Sequence, residues 1–406
     1  MPSTLNGYAV TRVQQQLRQL YYSDDRPVVM EDDLNVWPPH IYLHNIALAL
    51  NNRLPDEQDR SCEVALLSYG SSHVVVTLKT VLQRTYVVRI TSAVFETFQR
   101  THPFWPEHKE RSEVASMIAL FRENLPVPAV YAFDEDRDHL VGGAWTLQEY
   151  IQGCPLNQAL GALSLEDRRD AFRQLSQCML QVFDIQFPRI GSLEIVGSIE
   201  GIRNLSESHL DVRVGKMVTL KGLQNPYIVG PPKECGPWDD VREWLKSVAQ
   251  GCLLYQPQPG KELPIDQANI ERVKQIIDEV PDSLFDGPLS VNGPWACDMW
   301  SLHNIIAVIQ DEKVITLHFL DFEGMQSVPA FVRAKAPFIQ DVPEEWLKVL
   351  LDFLLEHPGF RHAHEQGRTA RHLLNLAEGA WIPDPDNTSI KEFREGIWDD
   401  DATLVG

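Results

Sequence analysis

One stretch limits the fold more than any other. Asp298 stands in a short loop, Asn304 opens an apolar run, and a second apolar run closes on Leu320-Asp321-Phe322-Glu323-Gly324. An acid in a loop, an amide at the head of one strand and an acid at the end of the next tie loop and strands into one unit within a chain of 406 residues. That length allows two lobes plus appendages and a large buried core. No run is long and apolar enough to span a membrane. The opening MPSTLNGYAV lacks a basic segment followed by an apolar core, so a cytoplasmic location with no membrane partner is expected. Six cysteines, Cys62, Cys154, Cys178, Cys235, Cys252 and Cys297, are scattered without a C-x-x-C pair. That spacing signals neither structural zinc nor a disulfide framework, and buried, reduced thiols are expected. A formal charge of −21 argues against a large nucleic-acid interface, DNA included, and suits a cationic substrate.

Residues 1 to 60 read as an N-terminal extension of mixed character that includes Ile46-Ala47-Leu48-Ala49-Leu50. Residues 61 to 152 read as a small β-rich lobe. Strands over 63 to 68 and 74 to 78 flank Tyr69-Gly70-Ser71-Ser72-His73, and a third strand covers 85 to 90. A helix capped by Ser112 places Val114, Met117, Ile118 and Phe121 on one face and stops before Pro126-Val127-Pro128. A buried strand over 145 to 151 leads into Gln152-Gly153, a hinge between lobes. Residues 153 to 406 read as a larger, mainly helical lobe. Ser164 caps a helix with Phe172, Leu175, Met179, Val182 and Phe183 at helical spacing, and further helices cover 239 to 250, 344 to 355 and 369 to 376.

Two charged constellations stand out. Asp239 and Asp240 open the helix at 239, and Glu243 follows at i+4 and i+3, so the three carboxylates can face one way. Such a group can clamp a guanidinium or ammonium, and crowding raises one pKa towards general acid/base work. The plainer reading is that acids in a first turn complement the helix dipole and cap free N–H groups. The second is R-H-A-H-E-Q-G-R-T-A-R-H over 361 to 372, with Arg361, and with His364, Arg368, Arg371 and His372 able to share one helical face. Its plainer reading is a solvated face near the C-terminus.

With Arg89, Glu113, the PVPAVYAFD run, the WTLQEYIQG hinge, FPRIGSL and the 298 to 324 segment in that order, the chain resembles fungal members of the aminoglycoside phosphotransferase and choline kinase group, over about residues 63 to 380. The resemblance implies an α+β, two-lobed protein-kinase-like fold with a small β-rich N-lobe and a larger, mainly helical C-lobe. It also implies ATP and magnesium as cofactors. Gly70, Ser71 and Ser72 would cover nucleotide phosphates with backbone N–H groups. Arg89, partnered by Glu113, would offer phosphate a bidentate fork. Asp298 would be the base, and Asn304 and Asp321 would hold magnesium through oxygen. Each has a plainer reading: a ligand-free hairpin turn, a structural ion pair, and a residual turn and strand end. The pattern is also damaged. Ala296 replaces the His of His-x-Asp, and the interval from Asp298 to Asn304 is one residue too long, so without a bulge Met299 stands where the base belongs. A one-residue slip between base and metal ligand is serious for a reaction that depends on positioning. His303 is a candidate substitute base.

The D-D-x-x-E run is similar to one in the fungal arginine-containing cyclodipeptide synthases. That resemblance implies transfer of arginine from arginyl-tRNA onto a second aminoacyl-tRNA substrate to give a diketopiperazine, with no ATP. Asp239, Asp240 and Glu243 would recognise the arginine side chain or deprotonate the attacking amine, and Arg361, Arg368 and Arg371 would meet the tRNA acceptor end. Combined with the damaged kinase loop, this makes aminoacyl transfer the favoured expectation. The alternatives are an ATP- and magnesium-dependent small-molecule O-phosphotransferase and a catalytically silent pseudokinase.

Overall fold

The structure, a computed structural model, describes residues 43–69, 73–91, 109–136, 141, 143–218, 236–251, 266–296, 298–310, 313–335, 339, 342–380 and 388–396. Its N-terminal part is an antiparallel sheet with two helices. Helix α1 (Leu43–Asn51) precedes strands β1 (Ser61–Tyr69), β2 (His73–Thr80) and β3 (Thr85–Thr91); helix α2 (Lys109–Arg122) leads to β4 (Val130–Asp134) and β5 (Trp145–Glu149). The five strands lie in the order β1-β2-β3-β5-β4. Alternation sets which face is buried. Val74, Val76 and Leu78 on β2 and Tyr86, Val88 and Ile90 on β3 point to one side, where Ile46, Leu50 and Leu54 complete the apolar cluster. The end of the segment expected as an extension is therefore part of this core.

Helix α2 begins three residues before Ser112, which lies buried inside it rather than capping it. Tertiary contacts hold this first described turn. Thr91 Oγ1 donates to Glu110 Oε1 at 3.1 Å, and the Lys109 ammonium meets the Glu323 carboxylate. Val114, Met117 and Ile118 are fully buried as their spacing predicts, and they join the core of the C-terminal part.

After β5 the chain crosses at Gly153, where a Cβ would lie 2.6 Å from the Ala307 carbonyl oxygen; only glycine permits that approach. Strand β6 (Cys154–Pro155) follows, then α3 (Leu156–Ala162) and α4 (Leu165–Asp184), which Ser164 caps by accepting from the Asp167 N–H at 3.2 Å. The rest comprises β7 (Ser192–Val196), β8 (Asp211–Gly215), α5 (Val241–Ala249), α6 (Gln267–Glu279), β9 (Asn292–Trp295), β10 (Ile305–Gln310), β11 (Lys313–Phe319), β12 (Gln326–Pro329), α7 (Ala330–Arg333), α8 (Glu344–Leu355), α9 (Pro358–Gln366), α10 (Arg368–Glu378) and α11 (Thr388–Glu395). Strands β11, β10 and β6 form a three-stranded sheet, so the residues just past the hinge pair directly with β10. One apolar cluster joins Phe172, Leu175, Phe319, Phe322 and Leu350; another joins Trp244, Leu245, Ile270 and Leu373.

Cys62, Cys154 and Cys178 are free and half-buried, and burial pushes the Cys178 thiol up to about 11. Cys235, Cys252 and Cys297 lie outside the described residues. Among the described residues no helix is long and apolar enough to cross a membrane.

Candidate functional site

Hairpin register brings Asn304 and Asp321 together. Ile305 pairs with Phe319, and one step further out Leu320 N–H donates to the Asn304 carbonyl oxygen at 2.9 Å. The next residue is Asp321, whose Oδ2 accepts from Asn304 Nδ2 at 3.3 Å. The surplus residue of the loop lies before Asn304, so it does not disturb this pairing. Asp298–Trp300 form a 3₁₀ turn, and Asn304 N–H closes a second turn onto the Ser301 carbonyl at 2.8 Å. Met299 faces the core, as does Ala296, each 1% exposed, so Met299 does not stand in a base's solvent-facing position. Trp300 packs edge-on against Phe319 with centroids 5.3 Å apart, which holds the loop on β11. The exposed His303 lies with Nδ1 2.9 Å from Asn157 Nδ2, which ties it to the start of α3.

The sheet meets this hairpin through Arg89. Its Nη1 donates to Glu113 Oε1 at 2.5 Å and to the Leu320 carbonyl at 3.1 Å, while Nη2 lies 3.6 Å from Asp321 Oδ1. Glu113 projects from α2 one helical turn past Lys109. His73, at the head of β2, sits between two cations: Nδ1 is 3.3 Å from Arg89 Nη2, and Nε2 is 3.5 Å from Lys109 Nζ. Burial, followed by the charges of Arg89 and Lys109, holds His73 well below the ordinary histidine value, so it is neutral. Burial also works against the charged forms of Arg89 and Lys109. Glu113, Asp321 and Glu323 outweigh it for Arg89, as Glu323, Glu110 and Glu113 do for Lys109, and both pKa values rise. Burial pushes the Glu113 carboxyl up to about 7, with Arg89 and Lys109 pulling the other way.

Two cations, Arg89 and Lys109, therefore lie among four carboxyl groups, of Glu110, Glu113, Asp321 and Glu323, of which Glu113 is the one burial drives towards its neutral form. The surplus of negative charge and the oxygen donors of Asn304 and Asp321 fit a divalent cation. Among the described residues no group of three or more His, Cys, Asp or Glu side chains forms an all-protein metal cage. Magnesium does not need one, because it is commonly held by one or two protein groups together with phosphates and water. Nothing in the sequence marks Lys109, His73 or Glu323 as a site residue. Gly70, Ser71 and Ser72, and the side chain of Asp298, lie outside the described residues.

The other two constellations are placed differently from expectation. Asp240 is the N-cap of α5, its Oδ1 accepting from the Glu243 N–H at 2.9 Å. Asp239, before the helix and exposed, takes both prongs of Arg189 at 2.7 Å, and that hydrogen bonding lowers its pKa. Glu243 pairs with Lys246 at 3.2 Å. The three carboxylates are thus engaged separately. The basic run is not one helical face, because the chain turns from α9 into α10 at Gly367. A Cβ there would lie 2.3 Å from the Ala363 carbonyl oxygen. Arg371 turns inward to the carbonyls of Phe331, at 3.0 Å, Ala363 and His364. Arg361 binds the Leu355 carbonyl at 2.6 Å, and Arg368 is exposed.

The antiparallel sheet, the helix between its third and fourth strands, the Arg89–Glu113 pair and the Asn304–Asp321 hairpin define an α+β kinase-like fold. The chain matches no protein-family model. It is 27% identical over 346 residues to altered inheritance of mitochondria protein 9, mitochondrial, of Zygosaccharomyces rouxii, covering 72% of this chain and 53% of that protein. To the protein of the same name in Kluyveromyces lactis it is 27% identical over 371 residues, covering 76% and 57%. A shorter match, 28% over 138 residues, links 34% of the chain to 26% of a subtelomeric hrmA-associated cluster protein of Aspergillus fumigatus. The chain thus spans between about a quarter and somewhat over half the length of these curated relatives. Among solved structures, the streptomycin–ATP–APH(2")-IIa ternary complex gives a TM-score of 0.45 at 14% identity, covering 86% of this chain and 95% of that one. Aminoglycoside phosphotransferase APH(4)-Ia gives 0.41 at 12% identity, covering 88% and 93%.

Proposed function

We propose that the chain is an ATP- and magnesium-dependent small-molecule O-phosphotransferase. One observation carries the reading: Arg89, Glu113, Asn304 and Asp321, drawn from a strand, a helix and a hairpin, converge where the sheet meets β10 and β11. Asn304 and Asp321 would hold the metal, which when bound offsets charge on the phosphates being transferred. Arg89, held by Glu113 and the Leu320 carbonyl, would supply a fixed positive charge beside the phosphates. Asp298 remains the candidate base, in a loop held by the buried Met299 and the packed Trp300. A cationic acceptor suits the chain's charge of −21.

The aminoacyl-transfer reading has less support. Its Asp240 is occupied in capping α5 and its Asp239 in an exposed pair with Arg189. The relatives named as mitochondrial make that compartment a proposal to set against the cytoplasmic one.

The test uses the purified chain with ATP, magnesium and a panel of aminoglycosides and other amino-alcohols. Magnesium-dependent nucleotide binding and acceptor-stimulated ADP release should be lost in Asp321→Ala and kept in Asp240→Ala. Binding without turnover would favour a pseudokinase, and arginine-containing diketopiperazines in expressing cells would return the aminoacyl reading.

A further inference from the structure

The phosphotransferase reading gives no role to the buried pair of Lys109 and Glu323. Lys109 is the first residue of α2, with its side chain 0% exposed and its ammonium on the Glu323 carboxylate, itself 9% exposed. Glu323 lies two residues past Asp321, and its backbone N–H donates to Asp321 Oδ1 at 3.2 Å. The residue that receives Lys109 from the helix is therefore also the one that orients the Asp321 carboxylate from within its own turn. Helix α2 consequently reaches this segment by two routes one helical turn apart: Glu113 through Arg89, and Lys109 directly.

Burying such a pair is not explained by stability. Two charges lose their hydration, and well-packed apolar side chains of the same volume serve a core at least as well. What the pair offers instead is a fixed geometry. Glu323 is held from one side by Lys109, and Lys109 is backed by the neutral ring of His73, 3.5 Å away.

We infer that Lys109 is a positioning residue for the metal-binding segment: by holding Glu323 it fixes the turn that aims Asp321 at metal and phosphate. The inference rests on the phosphotransferase reading and extends it, since it gives a residue far outside the Asp-Phe-Glu run a hold on metal affinity.

The experiment is a Mn²⁺ titration of the full chain, followed by electron paramagnetic resonance, with a non-hydrolysable ATP analogue present. Wild type is compared with Lys109→Met, Glu323→Gln, the double variant and Asp321→Ala, and folding is checked by circular dichroism. Lys109→Met and Glu323→Gln should each weaken Mn²⁺ binding by about tenfold, the lower end of what loss of an outer-sphere partner does to a metal site. The double variant should be no weaker than Lys109→Met alone, because both substitutions act on one contact, of which Glu323→Gln removes the charge. Full-strength Mn²⁺ binding in folded Glu323→Gln overturns the inference, and that shape-conserving variant decides if Lys109→Met fails to fold. Asp321→Ala losing the metal while both neighbours keep it overturns the inference alone. A wild-type chain that binds no Mn²⁺ with nucleotide overturns the phosphotransferase reading as well.

Discussion

Arg89 and Leu320 are 231 positions apart, yet Arg89 Nη1 donates to the Leu320 carbonyl oxygen at 3.1 Å. The same nitrogen holds Glu113, so one guanidinium ties β3 to α2 and to the end of β11. Arg89→Met removes the fork and leaves the Glu113 carboxylate, 2% exposed, without its partner. Breaking a buried pair in this way costs about 3 to 5 kcal/mol, to be read from urea unfolding. Arg89→Lys keeps the charge but offers a point donor in place of a fork, so it should lose less stability while weakening nucleotide binding. A lysine variant with unaltered nucleotide affinity would argue that the planar fork is dispensable.

Asp240→Ala should behave as loss of a helix cap. The carboxylate bonded to the Glu243 N–H disappears, at a cost of about 1 kcal/mol, and ADP release should be unaffected. Asp239→Ala, where the side chain is 73% exposed and its ion pair is screened by water, should leave stability essentially unchanged. Thermal melts and the acceptor-dependent assay separate these outcomes from a catalytic role for either carboxylate.

The contrast between those carboxylates and Asp321 explains what the sequence reveals about this molecule. Asn304 and Asp321 are legible because each sits at the end of an apolar strand run, and hairpin register then determines their meeting whatever the length of the loop before them. Arg89 and Glu113 are legible only through the family resemblance, which pairs a cation on a strand with an acid on the following helix. Lys109 and His73 are not. A lysine in the first turn of a helix ordinarily reads as solvated, and its acidic partner is more than two hundred residues away in sequence. Ser112 illustrates the same limit: it is a good capping residue, but tertiary ion pairs extend the helix past it. In the D-D-x-x-E run, position in a first turn already accounts for Asp240, and only the structure reveals that Arg189 takes Asp239.

His73 sets a pH dependence. Its folded pKa lies below the unfolded value, so the unfolded chain binds the extra proton more readily once the pH drops under the usual histidine range. The sign follows directly. Stability present above about pH 6.5 is lost as the pH falls towards the folded pKa, by at most about 1.4 kcal/mol per pH unit for one group. His73→Gln carries no such titration. Wild type should therefore lose stability relative to the variant between pH 7.5 and 5.5, both pH values set in the denaturant experiment at about equal ionic strength. A constant difference across that range would mean that His73 is not held neutral. Glu113 works in the opposite direction. Its carboxyl, pushed up to about 7, favours the fold at lower pH and loses that contribution as the pH rises through about 7, so the comparison with the variant is needed to isolate His73.

Arg371 separates a structural role from RNA binding. Its guanidinium closes the corner between α9 and α10 by donating to the carbonyls of Phe331, Ala363 and His364, while Arg368, three residues earlier, is exposed. Arg371→Ala removes the donor from three carbonyls at once. An unsatisfied buried polar group costs about 1 to 3 kcal/mol, so the variant should lose at least that much in urea unfolding. Arg368→Ala should stay within about 0.5 kcal/mol of wild type. Filter binding to aminoacylated and free tRNA should be equally weak for wild type and both variants. Salt-sensitive tRNA binding that falls in Arg368→Ala, without any loss of stability, would instead make this corner a nucleic-acid contact and return weight to aminoacyl transfer.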